Sequence, residues 1–219
     1  MARDAGIDES AAVAGQDPGE MAAHVARVAA RLFAAKGYDA TSVREIVEAA
    51  GVTKPTLYYH FGSKQGLAEA LLTRPMAQFV ARLRGLVEAE PEPMALLRRT
   101  FAEHMAFLHD EPDRARFFYA ICFGANCASL QAEICSFGES IHREMIACAR
   151  HAAGRGLIDP ARVEDFAEMF RGTIIMASLD SLFGGRGPDP GLPDRIIRDL
   201  LHGFGALPPD PATTRGPSR

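Results

Sequence analysis

Residues 54–60, with the sequence KPTLYYH, bring together a lysine, a threonine, two tyrosines and a histidine. Leu57 and Phe61 are four residues apart, so on a helix they would form one inward stripe and leave most of the polar side chains outside. Ammonium and hydroxyl groups can donate hydrogen bonds to phosphates or base edges. Exposed aromatic clusters usually mark contact surfaces. This chemistry indicates recognition of a nucleic acid.

Cap and turn signals place these residues on the second of two short helices. Thr41 or Ser42 can cap a helix start, and Ser42, followed three residues later by Glu45, is a capping-box pattern. Gly51 suits the left-handed residue that ends such a helix. Thr53 is a cap candidate for the next helix, and Pro55 is tolerated in its first turn. Two helices around a glycine turn predict a helix-turn-helix, whose second helix fits the DNA major groove.

Residues 25–72 resemble the DNA-binding domain of the TetR family of bacterial transcriptional regulators. The resemblance rests on the runs AARLFAAKGYDATSVREIVEAAGV and TLYYHFGSKQGL, which cover about a quarter of the chain. It implies an all-α fold with an N-terminal three-helix helix-turn-helix DNA-binding domain. A larger helical domain for ligand binding and dimerisation would follow. The rest of the chain matches the family only in length, helicity and arrangement.

The resemblance also assigns nine residues to the DNA-facing surface. The candidates for base edges are Arg44, Lys54, Pro55 and Thr56. The candidates for phosphates are Ser42, Tyr58, Tyr59, His60 and Lys64. Lys54 and Pro55 stand where many family members carry a small residue or glycine, which leaves the base preference open. Structural alternatives are that Tyr58 belongs to the core, His60 only ends a helix, and Arg44 is a solvated charge.

The charge of the chain is unevenly distributed, although its net value is −4. Residues 20–74 hold seven basic and five acidic residues, whereas the segments before and after them are acidic. Phosphate attraction depends on the local face rather than on the total charge. Within this segment, Lys64 is a cation in the first turn of a helix, which opposes the helix dipole. An incoming phosphate therefore explains Lys64 better than capping does.

The sequence lacks the motifs of common enzyme classes. It contains no GxSxG, no HExxH, no glycine-rich phosphate loop, and no acid–base pair at a useful spacing on one helix. We therefore expect no catalytic residue, no metal and no cofactor, and an enzyme is the least favoured of three hypotheses.

The cysteines are Cys122, Cys127, Cys135 and Cys148. Their spacing is not a zinc pattern, and we interpret them as small core residues, with redox or metal sensing as the alternative. No apolar run reaches the ~18 residues of a membrane span, and the N-terminal segment has no signal-peptide pattern. We expect a cytoplasmic protein with reduced cysteines.

Composition and helix breakers divide the chain into four segments. We expect a disordered arm at 1–19, the helix-turn-helix domain at 20–66, the larger helical domain at 67–207 and a disordered tail at 208–219. In the larger domain, a long helix should begin at Ser63 and kink near Pro75. Further helices are predicted at 94–109, at 113–154 with a break near Gly124, at 160–184 and at 193–205.

Polar residues inside apolar helices are candidates for a ligand pocket, because an unpaired buried polar group is costly. They are His104, Arg116, Asn126 and Arg171. Each has the alternative of a satisfied structural role. Arg171 and Asp180 lie nine residues apart on one predicted helix and should face opposite sides. Apolar residues on the last two helices are candidates for a homodimer interface, with ordinary core as the alternative. They are Phe170, Ile174, Ile197, Leu201 and Phe204.

These features predict a dimeric repressor that binds a palindromic site in double-stranded DNA. A hydrophobic or amphipathic small molecule would bind the larger domain, move the helix that follows Ser63 and release the DNA. The alternative is a DNA-binding regulator without a small-molecule ligand, acting as an activator or controlled by a protein partner.

Overall fold

The structure, a computed structural model, describes residues 18–124, 128–185 and 189–204. These residues form nine α-helices and one short 3₁₀ turn without a strand, which confirms the predicted all-α fold class. The helices are α1 (Pro18–Lys36), α2 (Val43–Ala50), α3 (Lys54–Phe61), α4 (Lys64–Ala89), α5 (Pro93–Asp110), α6 (Pro112–Phe123), α7 (Ala128–Gly154), α8 (Val163–Phe183) and α9 (Leu192–Phe204). Among the described helices, none combines the length and the apolarity that crossing a membrane requires.

The chain divides into two compact units, and the first extends to Leu71. Its core consists of apolar side chains that recur at helical spacing on α1, α2, α3 and the start of α4. The largest of them are Phe33, Ile46, Leu57 and Leu67, all with no exposed surface. Because the first two turns of α4 supply Leu67 and Leu71 to this core, the first unit includes more than the three short helices.

The second unit begins at Leu72 and contains the rest of α4 together with α5 to α9. Its centre is a cluster of large apolar side chains contributed by α4, α5, α7 and α8. Leu83, Phe101, Met145, Phe166 and Phe170 are fully or almost fully buried. This unit therefore has a core of its own.

The helix boundaries follow the capping signals closely. A break occurs at Gly124, as predicted, and Asp159 caps the 3₁₀ turn Pro160–Arg162 by accepting a hydrogen bond from the Ala161 amide at 2.9 Å. Pro75 lies inside α4 and does not end it. The predicted tail lies outside the described residues, and so does the predicted arm except for residues 18–19, which begin α1.

Candidate nucleic-acid interface

A reciprocal capping box fixes the start of α2. The Glu45 amide donates to the Ser42 hydroxyl at 3.2 Å, and the Ser42 amide donates to the Glu45 carboxylate at 2.8 Å. Lys36 also donates to Glu45, at 2.6 Å. The Lys36 ammonium, followed by the two Ser42 groups, lowers the pKa of Glu45 to about 2. The first turn of α2 is therefore held to the end of α1.

The glycine turn and the second cap place α3 after α2. Gly51 adopts the left-handed conformation with φ 65°, and its amide donates to carbonyls of the last turn of α2. The Thr53 hydroxyl accepts from the Thr56 amide at 3.3 Å, and Pro55 is the second residue of α3. The predicted helix-turn-helix is thus formed by residues 42–61.

Half of the eight side chains of α3 are exposed to solvent, and those of Thr56 and His60 are half-buried. Among its residues, only Leu57 is buried, and Phe61 is half-buried instead of fully inward. The exposed fractions of Tyr58 and Tyr59 are 45% and 81%. These values leave Tyr58 as a surface residue. The Tyr59 ring lies edge-on to His60, with centroids 5.0 Å apart.

The remaining predicted residues of this surface divide between α2 and α3. Ser42 and Arg44 are exposed at the start of α2, and Lys54 and Pro55 are exposed in the first turn of α3. Arg44 forms an ion pair with Glu48 at 2.6 Å, one turn further along α2. Pairs between two exposed groups contribute little free energy, so Arg44 can exchange this partner for another anion at small cost.

Lys64 is the one predicted DNA-facing residue whose charged group has strong partners in its own unit. Its ammonium donates to the backbone carbonyls of Tyr38 and Thr41, each at 2.7 Å. It also lies 4.3 Å from the centroid of the Tyr38 ring. The side chain turns from the start of α4 back to the turn between α1 and α2. These partners could not be predicted from the sequence, because backbone carbonyls carry no residue-type signal.

Two of the ligand candidates have structural partners in the second unit. The His104 ring bonds to the Thr100 carbonyl at 2.7 Å and packs edge-on to Phe79. Burial lowers the pKa of His104 to about 4. Arg116 donates to the Leu182 carbonyl at 3.2 Å and to Asp113 at 3.0 Å. Arg171 is half-buried on α8, and Asn126 lies outside the described residues.

None of these described ligand candidates lines the groove between α5, α8 and residues 189–195. This groove encloses about 490 Å³, and Phe101, Met105 and Ala177 contribute to its apolar floor. The lining also includes His109 and Ser181, whose Nε2 and Oγ atoms lie 3.2 Å apart. Volumes of about 300–1,000 Å³ are typical of small-molecule sites, so the groove is large enough for one.

The structure separates two apolar faces of α8. Phe170, Ile174 and, on α9, Ile197 are buried within the core of a single chain, which leaves them almost no surface to contact a partner. Leu201 is half-buried, and the side chain of Phe204 lies outside the described part. The opposite face of α8 instead exposes Met169, Met176 and Phe183 at intervals of seven residues, with exposed fractions of 52%, 61% and 61%. We call these three residues the α8 stripe.

The described cysteines are free thiols. Burial raises the pKa of Cys122 to about 12 and that of Cys148 to about 11. Cys148 is buried, as the core interpretation requires, and Cys122 is half-buried. The interpretation was wrong for Cys135, which is exposed, and Cys127 lies outside the described residues. Thiols with raised pKa values are poor nucleophiles at neutral pH.

Known proteins match both units. The sequence profile of bacterial regulatory proteins of the tetR family matches residues 26–71. The transcriptional repressor KstR2 of Mycobacterium tuberculosis is 36% identical over 74 residues, but this alignment covers only 34% of the present chain and 37% of KstR2. The solved structure of that KstR2, described as a ketosteroid transcriptional regulator, has a TM-score of 0.70 at 22% identity over 89% of this chain and all of the other.

A second solved structure extends the likeness. The regulator FadR of Bacillus subtilis, solved in complex with stearoyl-CoA, has a TM-score of 0.70 at 20% identity and covers 83% of this chain and 98% of its own. At such identities, the two structures support the fold. The class of protein is therefore an all-α protein with a helix-turn-helix unit followed along the chain by a larger helical unit. The first unit matches the tetR family of bacterial regulatory proteins, and the chain as a whole shares the fold of a solved regulatory protein of that family from Rhodococcus.

Proposed function

We propose that this chain is a transcriptional regulator that binds a palindromic DNA site as a homodimer and is released by a small molecule. The observation that carries the proposal is the exposed face of α3, where one buried leucine anchors a helix whose aromatic and cationic side chains point to solvent. Aromatic groups at such exposure have no role in the core of their own unit. A contact with another molecule explains them.

The roles proposed on DNA follow from the chemistry of each side chain. Arg44, Lys54 and Thr56 carry donors suited to base edges, and Pro55 offers an apolar contact. Ser42, Tyr58, Tyr59 and His60 carry donors suited to phosphates. Phosphate contacts depend on salt, because each releases condensed counterions. Binding should therefore weaken steeply as the salt concentration rises.

The proposed homodimer uses the α8 stripe. Two recognition helices must reach half-sites about 34–36 Å apart, or a multiple of that distance, which requires a fixed partner. Met169, Met176 and Phe183 form an exposed apolar row without polar atoms other than the thioether sulfurs. An antiparallel second copy with Met176 at the two-fold axis would place each Met169 against the partner's Phe183. The axis position follows from the equal seven-residue intervals.

The proposed effector is an amphipathic small molecule, and the groove between α5 and α8 is the proposed site. Its apolar lining would bury the body of the ligand, and His109 and Ser181, which are hydrogen-bonded to each other, could exchange that bond for a polar group of the ligand. FadR binds an acyl-CoA in its solved complex, which supports an effector for this chain without naming it. Releasing DNA requires a coupling of only about 1–3 kcal/mol between the two sites.

Selection of DNA fragments tests the proposal directly. Purified protein is mixed with sheared DNA from the source genome, and bound fragments are sequenced beside those of a Lys54→Ala/Tyr59→Ala variant. Phe123→Ala is the matched control, because Phe123 is an exposed aromatic residue of the second unit. We expect the wild type and the control to enrich the same few palindromic sites and the double variant to lose them. Equal recovery of all fragments by all three proteins would contradict a specific regulator.

A further inference from the structure

The ammonium group of Lys64 already has partners within the first unit, unlike that of a lysine whose donors are free to bind a phosphate. An ammonium has three N–H donors, and two of them go to the carbonyls of Tyr38 and Thr41 at 2.7 Å. Hydrogen bonds from a charged donor are roughly twice as strong as neutral ones. The Tyr38 ring adds a cation–π contact. One N–H donor remains, so a DNA phosphate that takes more than one hydrogen bond from Lys64 would have to displace one of these carbonyls.

The two carbonyls belong to a turn that is fixed by other contacts. Gly37 ends α1 with φ 87°. The Thr41 amide donates to the Tyr38 carbonyl at 3.2 Å, and the Thr41 hydroxyl donates to the Gly37 carbonyl at 2.8 Å. Thr41 has no exposed surface. Residues 37–41 therefore form a rigid seat for the Lys64 ammonium, and we call this arrangement the Lys64 clamp.

The clamp bears directly on the start of α2, because Ser42 follows Thr41 without an intervening residue. We infer that Lys64 is a positioning residue: it fixes the first turn of α2, with Ser42 and Arg44, against the first turn of α4, and does not serve mainly as a phosphate contact. The inference rests on the proposed function, since Ser42 and Arg44 are proposed to contact DNA.

The Lys64 clamp also offers a route by which a movement of α4 could reach α2 within the first unit. Lys64 is the first residue of α4, and the same helix continues beyond Leu72 into the second unit. A displacement of the first turn of α4 would pull on the carbonyls of Tyr38 and Thr41 and so shift the start of α2. Arg44 would then move relative to α3 without any change within α3 itself.

Three variants separate positioning from phosphate contact. Lys64→Met keeps the length and apolar stem of the side chain but removes its charge and its donors. Lys64→Arg keeps charge and donors. Lys54→Met is the comparator, because Lys54 is exposed on α3 and is a proposed DNA contact. Each full-length protein is measured for affinity to a fragment enriched by the wild type, over a series of salt concentrations, and for amide hydrogen exchange at residues 38–45 without DNA.

We expect Lys64→Met to bind the fragment at least tenfold more weakly, with an unchanged salt slope, and its amides at residues 38–45 to exchange faster. Lys64→Arg should recover part of the affinity and part of the protection from exchange. Lys54→Met, which removes a proposed base contact, should weaken binding to this fragment and leave exchange unchanged. A Lys64→Met variant that lowers the salt slope by about 0.9, the value for one lost phosphate contact, with unchanged exchange, would overturn the inference. A loss of thermal stability alone, with normal affinity and exchange, would also overturn it.

Failure of the proposed function has a different signature. If the wild type enriches no fragment, the regulator proposal fails, while the exchange experiment still reports whether Lys64 holds the turn. Unchanged exchange in Lys64→Met would then reject the clamp as well.

Discussion

Helix α3 in the first unit and helix α8 in the second both expose large apolar surfaces, but the two faces differ in chemistry. The exposed rings of α3 belong to Tyr58 and Tyr59, each with a hydroxyl group. The α8 stripe offers two thioethers and a phenyl ring. An aromatic ring with a polar tip suits a contact that stays partly wet, as contacts with phosphates do. A row without strong donors suits a surface from which water is excluded.

This difference shows that exposure alone does not define the partner. Both faces have side chains more than 40% exposed, and a measure of apolar surface would rank them together. The exposed side chains themselves distinguish the two faces: the rings of Tyr58 and Tyr59 carry hydroxyl groups and lie on the same helix as the exposed Lys54 ammonium, whereas Met169, Met176 and Phe183 carry no donor. We therefore expect a new charge to weaken the contact made by the α8 stripe, and the loss of a hydroxyl group to weaken the contact made by α3.

The largest expected effect is the response of the α8 stripe to charge. Met176→Glu would place an unpaired carboxylate at the centre of the proposed dimer contact, and burying an unpaired charge costs several kcal/mol. We expect the dimer to weaken more than a hundredfold, as measured by sedimentation over a range of concentrations. Folding of the single chain should not suffer, because Met176 is mostly exposed there.

Two controls accompany this variant. Met176→Leu keeps an apolar side chain of similar size and should remain dimeric. Phe123→Glu places the same charge at a residue of similar exposure on α6 and should also remain dimeric. If Met176→Glu sediments as the wild type does, the α8 stripe is not the dimer interface.

Removal of a hydroxyl group should have a smaller effect, confined to the other face. Tyr59→Phe keeps the exposed ring but removes the donor to a phosphate, and hydrogen bonds to charged groups contribute about 1.5–3 kcal/mol. We expect operator affinity to fall about tenfold or more in electrophoretic or fluorescence titrations, with thermal stability unchanged.

The matched change in the second unit is Tyr119→Phe. The Tyr119 side chain lies beside Ser178, and burial raises its pKa, so its hydroxyl serves the fold. This variant should lower thermal stability and leave operator affinity unaltered. Equal DNA affinities for Tyr59→Phe and the wild type would show that the ring of Tyr59, and not its hydroxyl, makes the contact.

The smallest predicted effect concerns the interior of the second unit, away from both faces. Burial lowers the pKa of His104 to about 4, whereas an unfolded histidine titrates near 6.5. Between about pH 6.5 and pH 4, this histidine is protonated in the unfolded chain but not in the folded chain. The free energy of unfolding therefore decreases as the pH is lowered through this range. We expect this histidine to make the free energy of unfolding about 1 kcal/mol lower at pH 5.5 than at pH 7.5.

Urea unfolding at the two pH values measures this loss. His104→Gln should show less of the decrease, whereas His202→Gln, at an exposed position on α9, should retain it. An identical decrease in all three proteins would mean that His104 is not the group responsible.

Much of the first unit could be predicted because its signals are local. Ser42 with Glu45, Gly51, and Thr53 with Pro55 each define a helix end through contacts within a few residues, and the structure contains all of them. The break at Gly124 was predictable for the same reason. Local hydrogen bonds leave a mark on the sequence that does not depend on the rest of the fold.

The long-range features could not be predicted in this way. Lys64 bonds to carbonyls more than twenty positions earlier in the chain, and a carbonyl is present at every residue. Helix α8 is apolar on more than one face, so periodicity could not tell the buried Phe170 and Ile174 from the exposed Met169 and Met176. The groove also escaped prediction, because α5, α8 and the start of α9 form it jointly.

The burial of Leu67, Ala68 and Leu71 in the core of the first unit determines where this protein can be recombined. A chimaera that replaces everything after Ser63 with another regulator's helix would discard Lys64 and three core side chains. Its first unit would then lose part of its hydrophobic core. A junction placed after Leu71 would carry them all. The smallest portion of this chain that can be exchanged intact between regulators therefore ends about two helical turns inside α4.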